Sequence, residues 1–313
     1  MIEQPSALPF GWFMVSYSDA LAPGDVRPVR LFGRELVLFR TLSGQPALLD
    51  AYCPHLGAHL GHGGSVNGET LQCPFHAWRW DTAGHCAHIP YSKRIPPQAS
   101  VDTWSIVEHS GRVWAWHGPD QPAFEIPEIP EETDEAWKLW RSDEYTIKTS
   151  VQEMSENQAD IAHFYAVHGA NLETYRLDAK FSGPTLELRT SSANRERGEA
   201  DDLVVDGVAT GMGVSVLRYI FDDRLVMLQV FCATPIDSET AAARQTYRIR
   251  ADASEAESAM AIKLAEFAAD QFGNDIPIWE NKVYRPAPML CDGDGLISGF
   301  RRWCRQFYPG HVP

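Results

Sequence analysis

The rhythm of hydrophobic and polar positions changes twice along the chain. Over the first 120 residues, apolar residues come in short runs cut by turn formers, a pattern that predicts strands. Trp12-Phe13-Met14-Val15 is one such run, and Val26 to Leu31 and Glu35 to Thr41 flank a Phe32-Gly33-Arg34 turn and predict a hairpin. Pro46 to Tyr52 predicts another strand, and Ile106-Val107-Glu108 is expected to pair with Val113-Trp114-Ala115-Trp116 across Ser110-Gly111. Residues 121–136 carry three Pro and six acidic residues and read as a linker. Beyond it, Ser150 to His168 is helical in composition, with Gly169 as its stop. Strands return at Thr185 to Thr190, Val214 to Phe221, Leu225 to Ala233 and Ala241 to Ile249, with Asp222-Asp223 as a turn. A last helix starts near Ser254. Glu257 completes a capping box, and Met260, Leu264, Phe267 and Ala268 form an apolar stripe. The expected fold is an all-β domain over 1–120, a linker over 121–136, and an α+β domain over 137–313 with an antiparallel sheet framed by helices.

The densest chemistry lies in the first domain, on two loops. Cys53-Pro54-His55 is followed, after seventeen intervening residues, by Cys73-Pro74-Phe75-His76. Two soft thiolates and two imidazoles at this spacing are a metal ligand set. An iron–sulfur centre with Cys₂ on one iron and His₂ on the other is the Rieske [2Fe–2S] arrangement. A Cys₂His₂ zinc site is the alternative, but zinc fingers place Cys with Cys and His with His. Here each loop supplies one of each, as a cluster needs if each loop must reach both irons. Gly57, Gly61, Gly63 and Gly64 are expected to let the backbone approach the sulfurs. Trp78 and Trp80, read as part of a strand from Ala77, either screen the cluster from water or pack in the core. His59 and His62 fit neither ligand position.

Composition narrows the partners. The chain has 313 residues, 44% of them hydrophobic, as in soluble globular proteins, and a net charge of −15 that argues against nucleic acid and anionic membranes. Its six Cys show no paired spacing outside the two ligand loops, which fits a reducing compartment. Met1-Ile2-Glu3-Gln4-Pro5 has no basic leader region, and no stretch approaches 18 apolar residues. A cytoplasmic protein without a transmembrane segment is the expectation.

A second motif lies in the predicted helix, where residues 156–168 read N-x-x-D-x-x-H-x₄-H through Asn157, Asp160, His163 and His168. Two His and one carboxylate on one face of an iron is the ligand set of non-haem Fe(II) oxygenases. His163 and His168 are five apart, about 140° round an ideal helix, so both reach one metal only if the helix unwinds before His168. Asp160 is too close along the chain to complete the triad; accepting a hydrogen bond from the other nitrogen of His163 suits it better. The third ligand is then expected from Asp275, just past the end of the last helix, with Glu280 and Asp270 in reserve.

These motifs resemble the Rieske non-haem iron oxygenases, specifically their terminal oxygenase component, and the resemblance runs essentially end to end. Cys86 to Arg94, Asp160 to Phe164 and Arg301 to Tyr308 are similar to the branch of bacterial ketosteroid 9α-hydroxylases and animal cholesterol 7-desaturases. The resemblance implies a [2Fe–2S] cluster on Cys53, His55, Cys73 and His76, and a mononuclear Fe(II) on His163, His168 and Asp275. It also implies electrons from NAD(P)H through a separate reductase or ferredoxin, and hydroxylation of a C–H bond of an apolar, steroid-like substrate with O₂. Desaturation, demethylation or aromatic-ring oxidation is the alternative outcome; an electron carrier without its own reaction has no use for the second motif. A homotrimer is implied, in which Asp160 links His76 of one subunit to His163 of the next. Asn157 sits where the family keeps an Asn near the iron, and as a bare residue it reads equally well as a surface amide.

Overall fold

The computed structural model describes residues 7–119, 121–171, 173–192 and 203–310, so the first five residues read above lie outside it. The chain forms two compact units. One runs from Trp12 to Ala123, and the other joins the residues before Trp12 to everything from Phe124 onward. The segment before Trp12, expected in the first domain, is tied to the second unit: Phe10 N–H donates to Phe307 O at 2.6 Å.

Among the described residues, the smaller unit holds ten strands in three sheets. They are β1 (Gly11–Tyr17), β2 (Val26–Leu31), β3 (Arg34–Arg40), β4 (Pro46–Asp50), β5 (Ser65–Asn67), β6 (Thr70–Gln72), β7 (Arg79–Trp80), β8 (Cys86–His88), β9 (Ile106–His109) and β10 (Arg112–His117). The sheet orders are β1-β10-β9, β2-β3-β4 and β5-β6-β7-β8. The β2–β3 and β9–β10 hairpins close through Phe32-Gly33 and Ser110-Gly111, each with two positive φ values, the turn whose twist matches paired strands. Strand β7 is shorter than expected, because Ala77 takes a φ of 56° and Trp78 stays outside the ladder. Val37, Phe39, Leu49, Leu60, Leu71 and Trp80 form the core, and the thiols of Cys53 and Cys73 are part of it.

The larger unit is built on β11 (Trp137–Ile147), β12 (Tyr175–Ser182), β13 (Thr185–Ser192), β14 (Leu203–Thr210), β15 (Val214–Phe221), β16 (Arg224–Pro235) and β17 (Ala241–Arg250). They form one antiparallel sheet in the order β11-β17-β16-β15-β14-β13-β12. Its helices are α1 (Val151–Glu156), α2 (Ile161–Ala166), α3 (Glu255–Asn281) and α4 (Ile297–Cys304). No helix among the described residues is long and apolar enough to cross a membrane.

Four local expectations are corrected. First, the single helix over 150–168 is broken, as described below. Second, α3 does not stop before Asp275; it runs through Pro277 to Asn281. Proline costs a helix one hydrogen bond, but the last turn is held by buried Trp279 and by Asn281, whose Nδ2 donates to Pro277 O at 2.8 Å. Third, α3 is not the last helix, since α4 follows and buries Phe300, Trp303 and Cys304. Fourth, residues 121–136 do not run free along their whole length. Ile129 is buried, Arg218 on β15 donates twice to Glu131, and Arg248 on β17 donates to Glu132 at 2.7 Å. An acidic run reads as a linker only until its arginine partners are known.

The glycines of the ligand loops also act differently than expected. A Cβ added to Gly64 would overlap the Leu60 carbonyl oxygen, and one on Gly61 would come within 2.9 Å of Pro28; none of the four would meet a sulfur. These glycines let the loop fold on itself. Gly64→Ala is therefore expected to cost about 2–4 kcal/mol of stability through that overlap. Gly57→Ala, at φ 75° in open space, should cost about 1–2 kcal/mol from the backbone conformation alone. Chemical denaturation midpoints of the two variants measure the difference.

Candidate metal centres

The two ligand loops of the smaller unit share one local design. In the first, Gly57 N–H donates to Cys53 O and Cys53 N–H to Ala58 O, both at 2.9 Å. In the second, Ala77 N–H donates to Cys73 O at 3.2 Å and Cys73 N–H to Trp78 O at 2.8 Å. The residue four past each Cys has a positive φ, Gly57 in one loop and Ala77 in the other. The same fold of the backbone therefore presents each Cys side chain inward and each His near the surface.

The donors pair off by type. Cys53 and Cys73, 2% and 3% exposed, lie within hydrogen-bonding reach of each other. Burial first, and then the facing Cys73 thiol, push Cys53 up to about 11, so binding a metal must displace the thiol proton. The His55 and His76 rings face each other edge to face at 4.8 Å. His76 Nδ1 is buried and has no hydrogen-bond partner, as a ligand atom without its metal has none. Two thiols on one side and two imidazoles on the other fit a diiron cluster better than a single tetrahedral zinc. Trp78 stacks on His55 at 4.5 Å and donates to Tyr91 OH at 2.6 Å, whereas Trp80 is fully buried in the core. His59 and His62 pack on each other at 4.4 Å, and His59 Nδ1 accepts from Gly61 N–H.

In the larger unit, Ser150 caps α1, a 3₁₀ turn covers Asn157–Ala159, and the chain then breaks at Asp160 with an extended backbone. Asp160 Oδ1 accepts from Ala162 N–H at 3.0 Å and His163 N–H at 3.2 Å, so the carboxylate is the N-cap of α2. The partner of His163 Nδ1 is the main-chain oxygen of Asp160, at 2.6 Å. The orienting contact expected of the carboxylate thus falls to the backbone of the same residue.

Helix α2 ends at Ala166, with Gly169 at φ 72° and Ala170 N–H bonded back to Phe164 O, a left-handed helix stop. His168 therefore lies beyond the helix and is free of its 140° offset. Its ring meets that of His163 at 5.0 Å, edge to face. Asp275 arrives from α3 with Oδ1 3.3 Å from His168 Nε2. One ligand atom from each of His163, His168 and Asp275 lies within 4.8 Å of the others. Glu280 and Asp270 are on the exposed side of α3.

Burial dominates the electrostatics of this group. It raises Asp275 and lowers His168 from their ordinary values, against the attraction each exerts on the other. Asn157 hydrogen-bonds Asp275 and accepts from Trp279 Nε1 at 3.4 Å, so the amide is no surface group. Trp279 is a site residue that the motif search passes over, although it stands one turn past Asp275 on the same helix face.

The triad opens on a cavity of about 520 Å³ lined by residues of α1, α2, α3 and strands β12 to β17. Small-molecule sites span roughly 300–1,000 Å³. Of the apolar stripe expected on α3, Leu264, Phe267 and Ala268 line the cavity. Leu264 and Ala268 also pack against the cluster in which Ala261, Ala265 and Ala269, outside that stripe, lie against the sheet. No Lys or Arg is among the lining residues.

Comparison with known proteins agrees with this geometry. A model of the Rieske [2Fe–2S] domain matches residues 11–104, and one of the 3-ketosteroid 9alpha-hydroxylase C-terminal domain matches residues 113–308. A cholesterol 7-desaturase of Ciona intestinalis is 32% identical over 341 residues, covering 99% of this chain and 71% of that protein. A probable 3-ketosteroid-9-alpha-monooxygenase oxygenase component of Rhodococcus rhodochrous is 33% identical, covering 95% and 79%. The fold is that of dicamba monooxygenase bound to dicamba, with a TM-score of 0.75 at 17% identity and 98% of both chains covered. The chain belongs to the Rieske non-haem iron oxygenases, in the 3-ketosteroid 9α-hydroxylase branch, as an oxygenase component that carries a [2Fe–2S] cluster and a mononuclear iron and receives its electrons from a reductase or ferredoxin.

Proposed function

We propose that this oxygenase hydroxylates an unactivated C–H bond of a neutral, fused-ring, apolar substrate of the 3-ketosteroid kind. The observation that carries the reading is the pair of imidazoles and the carboxylate gathered in the wall of a largely apolar cavity. The names of the relatives, steroid monooxygenases and sterol desaturases, support the same substrate class. Cys53, Cys73, His55 and His76 would hold the cluster, and His163, His168 and Asp275 the iron. The two metals, when bound, supply electron storage and dioxygen activation. The chain's own part is to hold and shield. Asn157 steadies Asp275, and Phe231, Phe272 and Trp279 pack in sequence beside it and keep water from that side.

Asp160 is assigned a second task. Its Oδ1 caps α2, and Oδ2 forms no hydrogen bond among the described residues. In a homotrimer that oxygen would accept from His76 of a partner subunit, and the Asp160 main-chain oxygen already holds the ring of His163. One residue would then join the two metal sites. No disulfide joins the six cysteines, and a reducing cytoplasm would keep the four outside the cluster as thiols. Ring desaturation is the second reading, favoured by a desaturase relative as similar as the monooxygenases over the whole chain.

Incubation of 3-ketosteroids, sterols and simple aromatics with the enzyme, NADH and a surrogate reductase is expected to yield a steroid product heavier by one oxygen atom. Loss of two hydrogens instead, read by mass spectrometry, selects desaturation. Asp275→Ala should reduce iron from about three to about two per chain while the cluster's visible spectrum persists. Retention of all three would move the ligand role elsewhere. Asp160→Asn preserves the helix cap, since Asn caps as well as Asp. Both metal sites and the trimer on size exclusion should survive, with product formation falling by about 100-fold. Near-normal coupled turnover would remove the bridge.

A further inference from the structure

The cavity wall on β15, β16 and β17 carries a chain of hydrogen bonds that ends on an unused donor. Tyr219 donates its O–H to Gln229 Oε1 at 2.7 Å. Gln229 donates from Nε2 to Gln245 Oε1 at 2.6 Å, and Tyr247 O–H donates to the same oxygen at 2.7 Å. Burial pushes both phenols well up, so they remain protonated donors. In this arrangement both lone pairs of the Gln245 oxygen are taken, and its nitrogen is the end left over. Gln245 is 0% exposed, and Nε2 has no partner. Asp143, directly across on β11, takes a hydrogen bond from Arg141 on Oδ1 at 2.9 Å, and its buried Oδ2 makes no hydrogen bond to the Gln245 amide.

Gln245, Gln229 and Tyr219 all line the cavity that holds the triad. The geometry points to Gln245 as a specificity-determining residue, whose Nε2 donates to a neutral carbonyl oxygen of the substrate. A carboxylate is disfavoured at this place, because no Lys or Arg lines the cavity to balance its charge. A ketone needs only a donor and brings no charge. Gln271 on α3 also leaves its Oε1 unpaired in the same lining, but that atom is an acceptor and offers a ketone oxygen nothing. The inference deepens the ketosteroid reading and rests on it for the ring skeleton, while the contact with a ketone stands on the amide alone.

The test is a binding measurement on the fully metallated, oxidised enzyme without reductase, so that no turnover occurs. Two ligand pairs are compared by calorimetric competition: a 3-ketosteroid with its exocyclic-methylene isostere, and a bicyclic aryl ketone with its methylene isostere. Each ketone is expected to bind roughly tenfold or more tightly than its isostere, because the isostere leaves the amide unpaired. In Gln245→Leu the ratio should collapse to within about twofold, with the isostere's affinity retained. That retention shows the cavity is intact, which a general loss of structure would not give. Equal wild-type affinities for ketone and isostere in both pairs would overturn the assignment and leave the amide to the Asp143 Oδ2 across from it. So would failure of every ketone to bind. If only the bicyclic pair binds, with the ketone preferred, the steroid skeleton falls and the role of Gln245 stands.

Discussion

A carboxylate and two imidazoles held within 4.8 Å of one another in a buried wall are costly neighbours, and most of the larger unit serves to keep them there. Burial moves both Asp275 and His168 toward their neutral forms; a cation is what makes their charged and deprotonated forms stable together. The other buried carboxylates nearby are neutralised by specific partners. All six residues of α1 are buried, and its Glu153 and Glu156 meet Lys282 at 3.3 Å and Arg301 at 2.6 Å. Removing one partner of such a buried pair costs on the order of 3–5 kcal/mol. These pairs also tie α1 to the end of α3 and to α4, fixing the helix that precedes His163 against the one that carries Asp275. Within this cluster, Asp275 is the carboxylate left for a metal.

The smaller unit solves a different problem, that of holding two irons with different ligands. Repeating one loop conformation at Cys53 and Cys73 puts sulfur with sulfur in the core and nitrogen with nitrogen at the surface. The inner half is dry and the outer half is reachable. Leu56, Phe75 and Tyr91 around the imidazoles are each more than half exposed, so the histidine edge is where an electron enters or leaves with the least protein in the way.

What could be read from the chain alone divides by the range of the interactions involved. The Cys-x-His and Cys-x-x-His loops, the Asp222-Asp223 turn between β15 and β16 and the Ser254–Glu257 capping box are all decided within a few residues, and the structure contains each of them. Strands β11 and β12 escaped notice because their apolar positions are diluted by Lys138, Arg141, Asp143 and Glu144 in one and Arg176, Asp178 and Lys180 in the other. They are strands because β17 and β13 pair with them along their whole length. Helix α3 passes Pro277 because Trp279 is anchored on Asn157, 122 residues away in sequence. The break at Asp160 was hidden for the opposite reason. Asp, Asn and Gln can sit within a helix or cap one, and only the two N–H groups bound to its carboxylate decide which. No local pattern marks Gln245, since a single amide in a strand reads as a polar residue until Gln229 and Tyr247 are seen to occupy its oxygen.

Helix α3 connects these points. An amphipathic helix usually turns its largest apolar residues toward the sheet it covers. Here alanines at positions 261, 265 and 269 lie against the sheet, Leu264 packs on the same cluster while lining the cavity, and Phe267, Phe272 and Trp279 look along the cavity. Small side chains let the helix lie close to β16 and β17, while the large ones set the width of the space beside Asp275. The residue that would hold the iron and those that shape the substrate's site thus belong to one rigid element. A bulkier residue at Ala265 would push the helix outward, and with it both the carboxylate and the cavity wall. Neither could then be adjusted without the other, so a change in substrate size is easier to accommodate from the strand side, at Leu188, Val205 or Leu217, where no metal donor is attached.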